Sequence, residues 1–201
     1  MKPNLVVELG THRGNSLFSM AQAIKDSNLK TKLHGVDTWE GDQHAGYYKE
    51  RVYKKFLEIK EKYYKDIDIT AHKMYFDEAV KKFEDNTIDI LHIDGLHTYD
   101  AVKHDFETWL PKVKKENGII LFHDICVKRK GFGVYKFWRE LKKQYNTIQF
   151  NHYYGLGVIV LDKDVFNILS NKSLLKKAKS RYYSMSFSAL VKFGLEFLKI
   201  G

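Results

Sequence analysis

The sequence is poor in residues that tie or break a chain. Its 201 residues include one cysteine, Cys126, so an internal disulfide is excluded and a reducing cytoplasm suits it. There are two prolines, no Pro- or Ser-rich linker and no internal repeat. No apolar run approaches the roughly 20 residues that span a bilayer. The first residues, "MKPNLVVELG", turn acidic at Glu8 too soon for a signal peptide. The pattern G-x-G-x-x-G is also missing, which argues against a dinucleotide pyrophosphate site. The remaining composition, 44% hydrophobic and 29% charged, is that of a soluble globular protein.

Positive charge is plentiful, with a formal net charge of +9. From Lys163 to Gly201 eight Lys or Arg stand against Asp164 and Glu196, so the excess sits mostly in the tail. Such a run is usually a solvated face. A rival reading makes the chain a basic nucleic-acid- or membrane-binding protein with a vestigial site.

Strands and helices alternate along the chain. Short apolar runs over 4–10, 32–39, 66–72, 87–94 and 117–124 read as strands, and residues 147–154 and 155–162 as a closing hairpin around Gly155. Helical spacing predicts helices over 16–27, about 47–64, 77–84, 99–115 and 133–145. This is an α/β pattern: a Rossmann-like, doubly wound, mostly parallel seven-stranded sheet with a C-terminal antiparallel hairpin. Residues 1–162 make one domain and 163–201 a basic helical extension packed on it. The last apolar face, in "SFSALVKFGLEFLKI", is expected to dock on the core, a second copy or the inner face of a membrane.

Ligands of open α/β sheets bind at the carboxyl ends of the strands. Three strands here run into an acid, Glu8, Asp37 or Asp94, and a fourth into His123-Asp124. Carboxylates beside a buried sheet cost several kcal/mol unless paired, so four on one edge signal function; helix capping accounts for one or two. In "ELGTHRGNS", Gly10 and Gly14 allow a tight turn that brings backbone N–H groups to a ligand at a helix start. Asp37 is placed to accept from a ribose diol. Asp94, His123 and Asp124 offer a set for a hard divalent ion, with imidazole favouring Mn2+ or a transition metal over Mg2+. His97 suits a general base, against a plainer role at the helix start. Asp100, His104, Asp105 and Glu107 read mostly as a solvated helix face. Cys126 reads as a packed thiol. The loop "EGDQHAGYY" (40–48) reads as a lid, whose His44 and tyrosines are placed to stack on a sugar ring, or as an ordinary mobile loop. His152, Tyr153 and Tyr154 are expected to shape the acceptor pocket.

The stretches "VELGTHRG", "GVDTWEGD", "LHIDGLHTYDAVKHDFETWLPKVKKENGIILFHD" and "GFGVYKFW" resemble the Rossmann-like S-adenosylmethionine-dependent methyltransferases. The likeness is closest to the bacterial branch of sugar and macrolide O-methyltransferases and cephalosporin-hydroxylase-like proteins. It runs from about Leu5 to Leu161. Asn117 stands where that family usually has a glycine, and His123 where metal-binding relatives often have an acid. The family's helix before the first strand is missing, which implies a minimal N-terminus or a piece of a longer chain. The resemblance implies that Glu8, Gly10, Thr11, Gly14, Asn15 and Ser16 cradle the methionine part of S-adenosylmethionine. It gives Asp37 the ribose, sets Thr38 and Trp39 beside the adenosine, and puts Tyr75 near the adenine. It makes Asp94 a neighbour of the cofactor that also holds a divalent metal with His123 and Asp124, and His97 the base. The acceptor is then a small molecule or glycan, in polysaccharide biosynthesis, with no nucleic acid as partner.

Overall fold

A computed structural model describes residues 2–42 and 46–184. Nine strands lie among them: β1 (Leu5–Leu9), β2 (Lys32–Asp37), β3 (Gly41–Asp42), β4 (Gly46–Tyr47), β5 (Ile69–Lys73), β6 (Ile90–Ile93), β7 (Ile119–His123), β8 (Asn146–Phe150) and β9 (Leu156–Val160). Seven build one sheet in the order β5-β2-β1-β6-β7-β9-β8, and β3 pairs with β4 as a small hairpin. Only β9 runs against its neighbours in the large sheet. Inserting β9 between β7 and β8 returns β8 to the common direction, so the β8–β9 turn lies on the carboxyl edge.

The strands are buried on both faces, and their alternation sorts the core. Val6, Leu33, Ile90 and Ile119 pack with α1 (Asn15–Asp26) and with Phe56 of α2 (Arg51–Tyr64). Val7, Leu91, Ile120 and Phe122 pack on the other face with α4 (Tyr99–Trp109) and α5 (Val134–Leu141). The helix expected over 77–84 is a short α3 (Phe76–Ala79) ending in a 3-10 turn. The one expected over 99–115 stops at Trp109, because Pro111 converts its end into a 3-10 turn. Its start is fixed by Thr98, whose side chain accepts from the Ala101 N–H.

After Asp162, which caps the next helix through the N–H groups of Asp164 and Val165, α6 (Lys163–Leu169) buries Leu169 and α7 (Lys172–Ser184) follows. The apolar helix expected after residue 185 lies outside the described residues. Among those described, no helix is long and apolar enough to cross a membrane.

Candidate active site

The first turn is built by close approach. Gly10 has φ +88°, and a Cβ there would lie 2.0 Å from the Asp94 carbonyl oxygen. Only glycine lets the β1 turn sit against the end of β6. Gly14, at φ +81°, starts α1 without a side-chain cap, so the first backbone N–H groups of that helix face the cleft beside Asn15 and Ser16. Thr11 is 2% exposed, lines the cleft, and its Oγ1 has no hydrogen-bond partner.

Two adjoining hollows, of about 480 and 500 Å3, share Gly10, His12, Asp94, His123 and Tyr154 and form one cleft over the carboxyl edge. Gly10, Thr11, Asn15, Ser16, Asp37, Thr38, Tyr75, Asp94, His97, His123 and Asp124 all line it, so most of the expected site comes together. The Asp37 carboxylate accepts from the N–H of His12 (2.7 Å) and of Trp39 (2.6 Å). Burial raises its pKa against the pull of those bonds.

Three expected residues sit elsewhere. Trp39 is a core residue: it is 2% exposed, packs against Tyr53 and Phe56, and its indole donates to the His12 carbonyl at 2.7 Å. It braces the turn from behind and does not line the cleft. Glu8 is fully buried, within β1, with Oε1 2.9 Å from His92 Nδ1; burial raises its pKa. Gly14 acts by omission, since a Cβ would meet the rings of Phe18 and Phe56 within 2.8 Å.

At the ends of β6 and β7 two acids and two histidines converge. His97 Nε2 lies 2.8 Å from Asp124 Oδ2 and 3.7 Å from Asp94 Oδ1. His123 Nδ1 lies 3.2 Å from Asp94 Oδ1 and 3.1 Å from Asp124 Oδ1. Burial alone would lower both histidines, but hydrogen bonds to Asp124 and Asp94 raise His97 to about 9. The Asp94 charge and the bonds to both acids raise His123 to about 10. Burial would raise both acids, yet the imidazoles pull Asp94 and Asp124 below the usual carboxylate range. The ring of Phe132 stacks on His97 at 4.8 Å, and the His97 carbonyl accepts from the Gly133 N–H.

The donor set fits a metal. One atom each from Asp94, His123 and Asp124 lie within 4.8 Å of one another. The 3.1–3.2 Å separations match the spacing of adjacent ligands around an ion bound at roughly 2.1 Å. Asp124 turns its other oxygen to His97.

Sequence reasoning missed His12 and the burial of Asp105; Tyr48, one of the loop tyrosines it did single out, lines the cleft. His12 stacks on Tyr48, centroids 4.4 Å apart, and both line the cleft. Tyr48 follows the β3–β4 hairpin, which occupies the 40–48 loop; His44 lies outside the described residues. Asp105, expected on a solvated face, is 7% exposed and lines the cleft. His104 is exposed and bonds to Asp77 (2.8 Å). His152, Tyr153 and Tyr154 do not end a strand but form the β8–β9 turn, and both tyrosines line the cleft. Cys126 is half-buried, against Gly155, and burial raises its thiol pKa.

A methyltransferase-domain family model matches residues 7–125, more than half of the chain. The chain belongs to this family. It has the α/β fold of the S-adenosylmethionine-dependent methyltransferases. SAH-bound PaMTH1 of Podospora anserina superposes with a TM-score of 0.62 at 16% identity, over 81% of this chain and 73% of that one. TomG of Streptomyces achromogenes, an O-methyltransferase of tomaymycin synthesis solved with SAM, gives 0.55 at 11% identity over 80% and 74%. A curated relative, the uncharacterized protein y4gI of Sinorhizobium fredii, is 39% identical over 165 residues. Those residues are 82% of this chain but span only 18% of y4gI.

Proposed function

We propose that this methyltransferase domain moves a methyl group from S-adenosylmethionine to a hydroxyl of a sugar or glycoconjugate, with a divalent ion and His97 assisting. One observation carries the reading. Asp94, His97, His123 and Asp124 converge within one cleft that also holds the Gly10 turn and Asp37.

The uncapped start of α1 directs N–H groups toward the carboxylate of the methyl donor. Asp37 spends one lone pair of each oxygen on backbone N–H groups, which fixes its plane and leaves the others for the ribose hydroxyls. Tyr48, Tyr153 and Tyr154 supply aromatic walls against which a sugar ring stacks. A bound divalent ion supplies positive charge that stabilises the acceptor oxygen as it loses its proton. The acceptor oxygen bonds to the methyl carbon as the carbon–sulfur bond breaks, and its proton passes to His97 Nε2. His97 must be neutral for this, and its two carboxylate partners hold it protonated at pH 7. Asp94, His123 and Asp124 would hold the ion, whose positive charge would lower the pull of those carboxylates on His97.

The test is a thermal-shift titration with S-adenosylhomocysteine, with NAD as control and with or without Mn2+ or Mg2+. Ligand at 100 times its Kd stabilises by about 2.7 kcal/mol, a shift of several degrees for a chain of this size. A shift with S-adenosylhomocysteine and none with NAD is expected, with a further shift on adding the ion. Folded protein that responds to none of them sinks the reading.

A further inference from the structure

Asp105 lines the cleft, and the proposed chemistry leaves it without a task. It sits on α4, 7% exposed, among Phe76, Gly95, Leu96 and Ala101. Among the described residues its carboxyl has no hydrogen-bond donor; its neighbour His104 is turned to Asp77, 2.8 Å away. Burial pushes its pKa up to about 7. A carboxyl that lines a hollow and has no protein donor has its lone pairs open to a donor on a molecule that enters there.

The local build brings this carboxyl to the cleft floor. Gly95 follows β6, and a Cβ on it would stand 3.1 Å from Asp105 Oδ2 and 2.6 Å from Phe76 Cε2. The missing side chain is what lets the acid and the ring edge reach the loop together. Asp37 ends β2, two strands from β6 across β1, so the two loop starts stand about 10 Å apart. That is about the length of one nucleoside. The same hollow holds Asp37, the apolar side chains of Phe76, Leu96 and Ala101, and Asp105. An acid for a diol, an apolar slot and a second acid complement a nucleoside whose base carries an exocyclic amine.

We infer that Asp105 is a specificity-determining residue that accepts a hydrogen bond from the adenine amino group of the methyl donor. This rests on the cofactor reading above.

The experiment compares S-adenosylhomocysteine with S-inosylhomocysteine, in which a carbonyl oxygen replaces the amine, by calorimetric titration at pH 8. The wild type is expected to bind the adenosyl compound about 10-fold tighter or better, since a site built for a donor rejects an analogue lacking it. Asp105→Leu is expected to lose that preference by weakening the adenosyl compound alone, with no fall in the Tm of the ligand-free protein. Asp105→Asn keeps an acceptor oxygen and is expected to keep the preference. Equal binding of the two compounds by the wild type overturns the inference and needs no variant to fold. Wild-type preference in folded Asp105→Leu overturns it as well. Binding of neither compound by the wild type removes the cofactor reading itself, and this inference with it.

Discussion

Asp89 and Asp94 bracket β6, and the chain treats them in opposite ways. Asp89, at the amino edge, accepts from the N–H groups of Asn4 (2.8 Å) and Leu5 (2.9 Å) and from Lys114 Nζ (2.7 Å). Two of those donors are backbone groups and the third is a lysine ammonium. Asp94, at the carboxyl edge, is held by two imidazoles that can give up their protons or take a metal. The backbone divides the same way. Left-handed non-glycine residues at the amino edge are Asn28, Asn86 and Asn117. Asparagine enters that region at little cost. At the carboxyl edge they are His12, Trp39, Asp124 and Tyr153; His12 and Asp124 also enter that region readily, while for Trp39 and Tyr153 it costs about 1–2 kcal/mol each. Unpartnered buried groups occur at both edges, the Ser27 hydroxyl and the Trp109 indole at the amino edge and the Thr11 hydroxyl at the carboxyl edge, so these alone do not separate the two. The lesson is that residue type does not mark a site. What sets the carboxyl edge apart is a pair of acids held by imidazoles, Asp94 and Asp124 by His97 and His123, where Asp89 is held by backbone N–H groups and a lysine.

The sharpest way to break this contrast is to cut one residue at each edge. His97→Gln removes the proton acceptor, and kcat for methyl transfer is expected to fall about 10²- to 10⁴-fold. The affinity for S-adenosylhomocysteine should stay near wild type, while the Tm falls at neutral pH, where the imidazolium no longer pairs with Asp124 and Asp94. A kcat within threefold of wild type would take the base role from His97.

Asp89→Ala is the mirror experiment. It strands two N–H groups and the Lys114 ammonium around a site that is 6% exposed. The expected loss is about 3 kcal/mol, or roughly 6 to 12 °C in Tm. Turnover by the protein that remains folded should be unchanged. A stable Asp89→Ala with impaired turnover would reverse the assignment of the two edges.

The sequence makes this division only partly legible. The large strands and the main helices follow from hydrophobic period, because a doubly buried parallel strand is a continuous apolar run. Asp37, Asp94 and Asp124 are visible because acids rarely follow such runs. Trp39 misleads because a tryptophan beside a ligand-binding acid looks exposed, while the rings that bury it, Tyr53 and Phe56, come from a helix more than ten residues on. Asp105 did leave a signal. It lies three residues after Val102 and four before Trp109, so helical spacing sets it on the buried stripe. The His12–Tyr48 stack leaves none, since a loop of small strands brings the two rings together.

The smallest effect concerns two kinds of histidine. Those at the carboxyl edge face acids, and His97 is raised to about 9 and His123 to about 10. His34 faces His72 instead, at 2.9 Å between β2 and β5; burial first and then His72 lower it to about 4. The signs are opposite. A raised histidine stabilises fully below its unfolded value near 6.5, and that contribution is lost as pH rises through 9 to 10. A lowered one contributes above 6.5, and its share is lost as pH falls toward 4. The Tm of metal-free protein is therefore expected to peak near 6.5 and to fall on both sides. Asp124→Asn should flatten the alkaline limb and also soften the fall at the acid extreme, where its own lowered carboxyl contributes. His34→Gln should soften the acid limb between about 6.5 and 4, which the lowered His72 and His12 share. Saturating Mn2+ should also flatten the alkaline limb, because an ion seated on Asp94 and Asp124 takes over the charge that the imidazoles supply. An alkaline limb that Mn2+ leaves untouched would separate the histidine–acid cluster from metal binding and leave His97 and Asp124 as a metal-free proton-transfer pair.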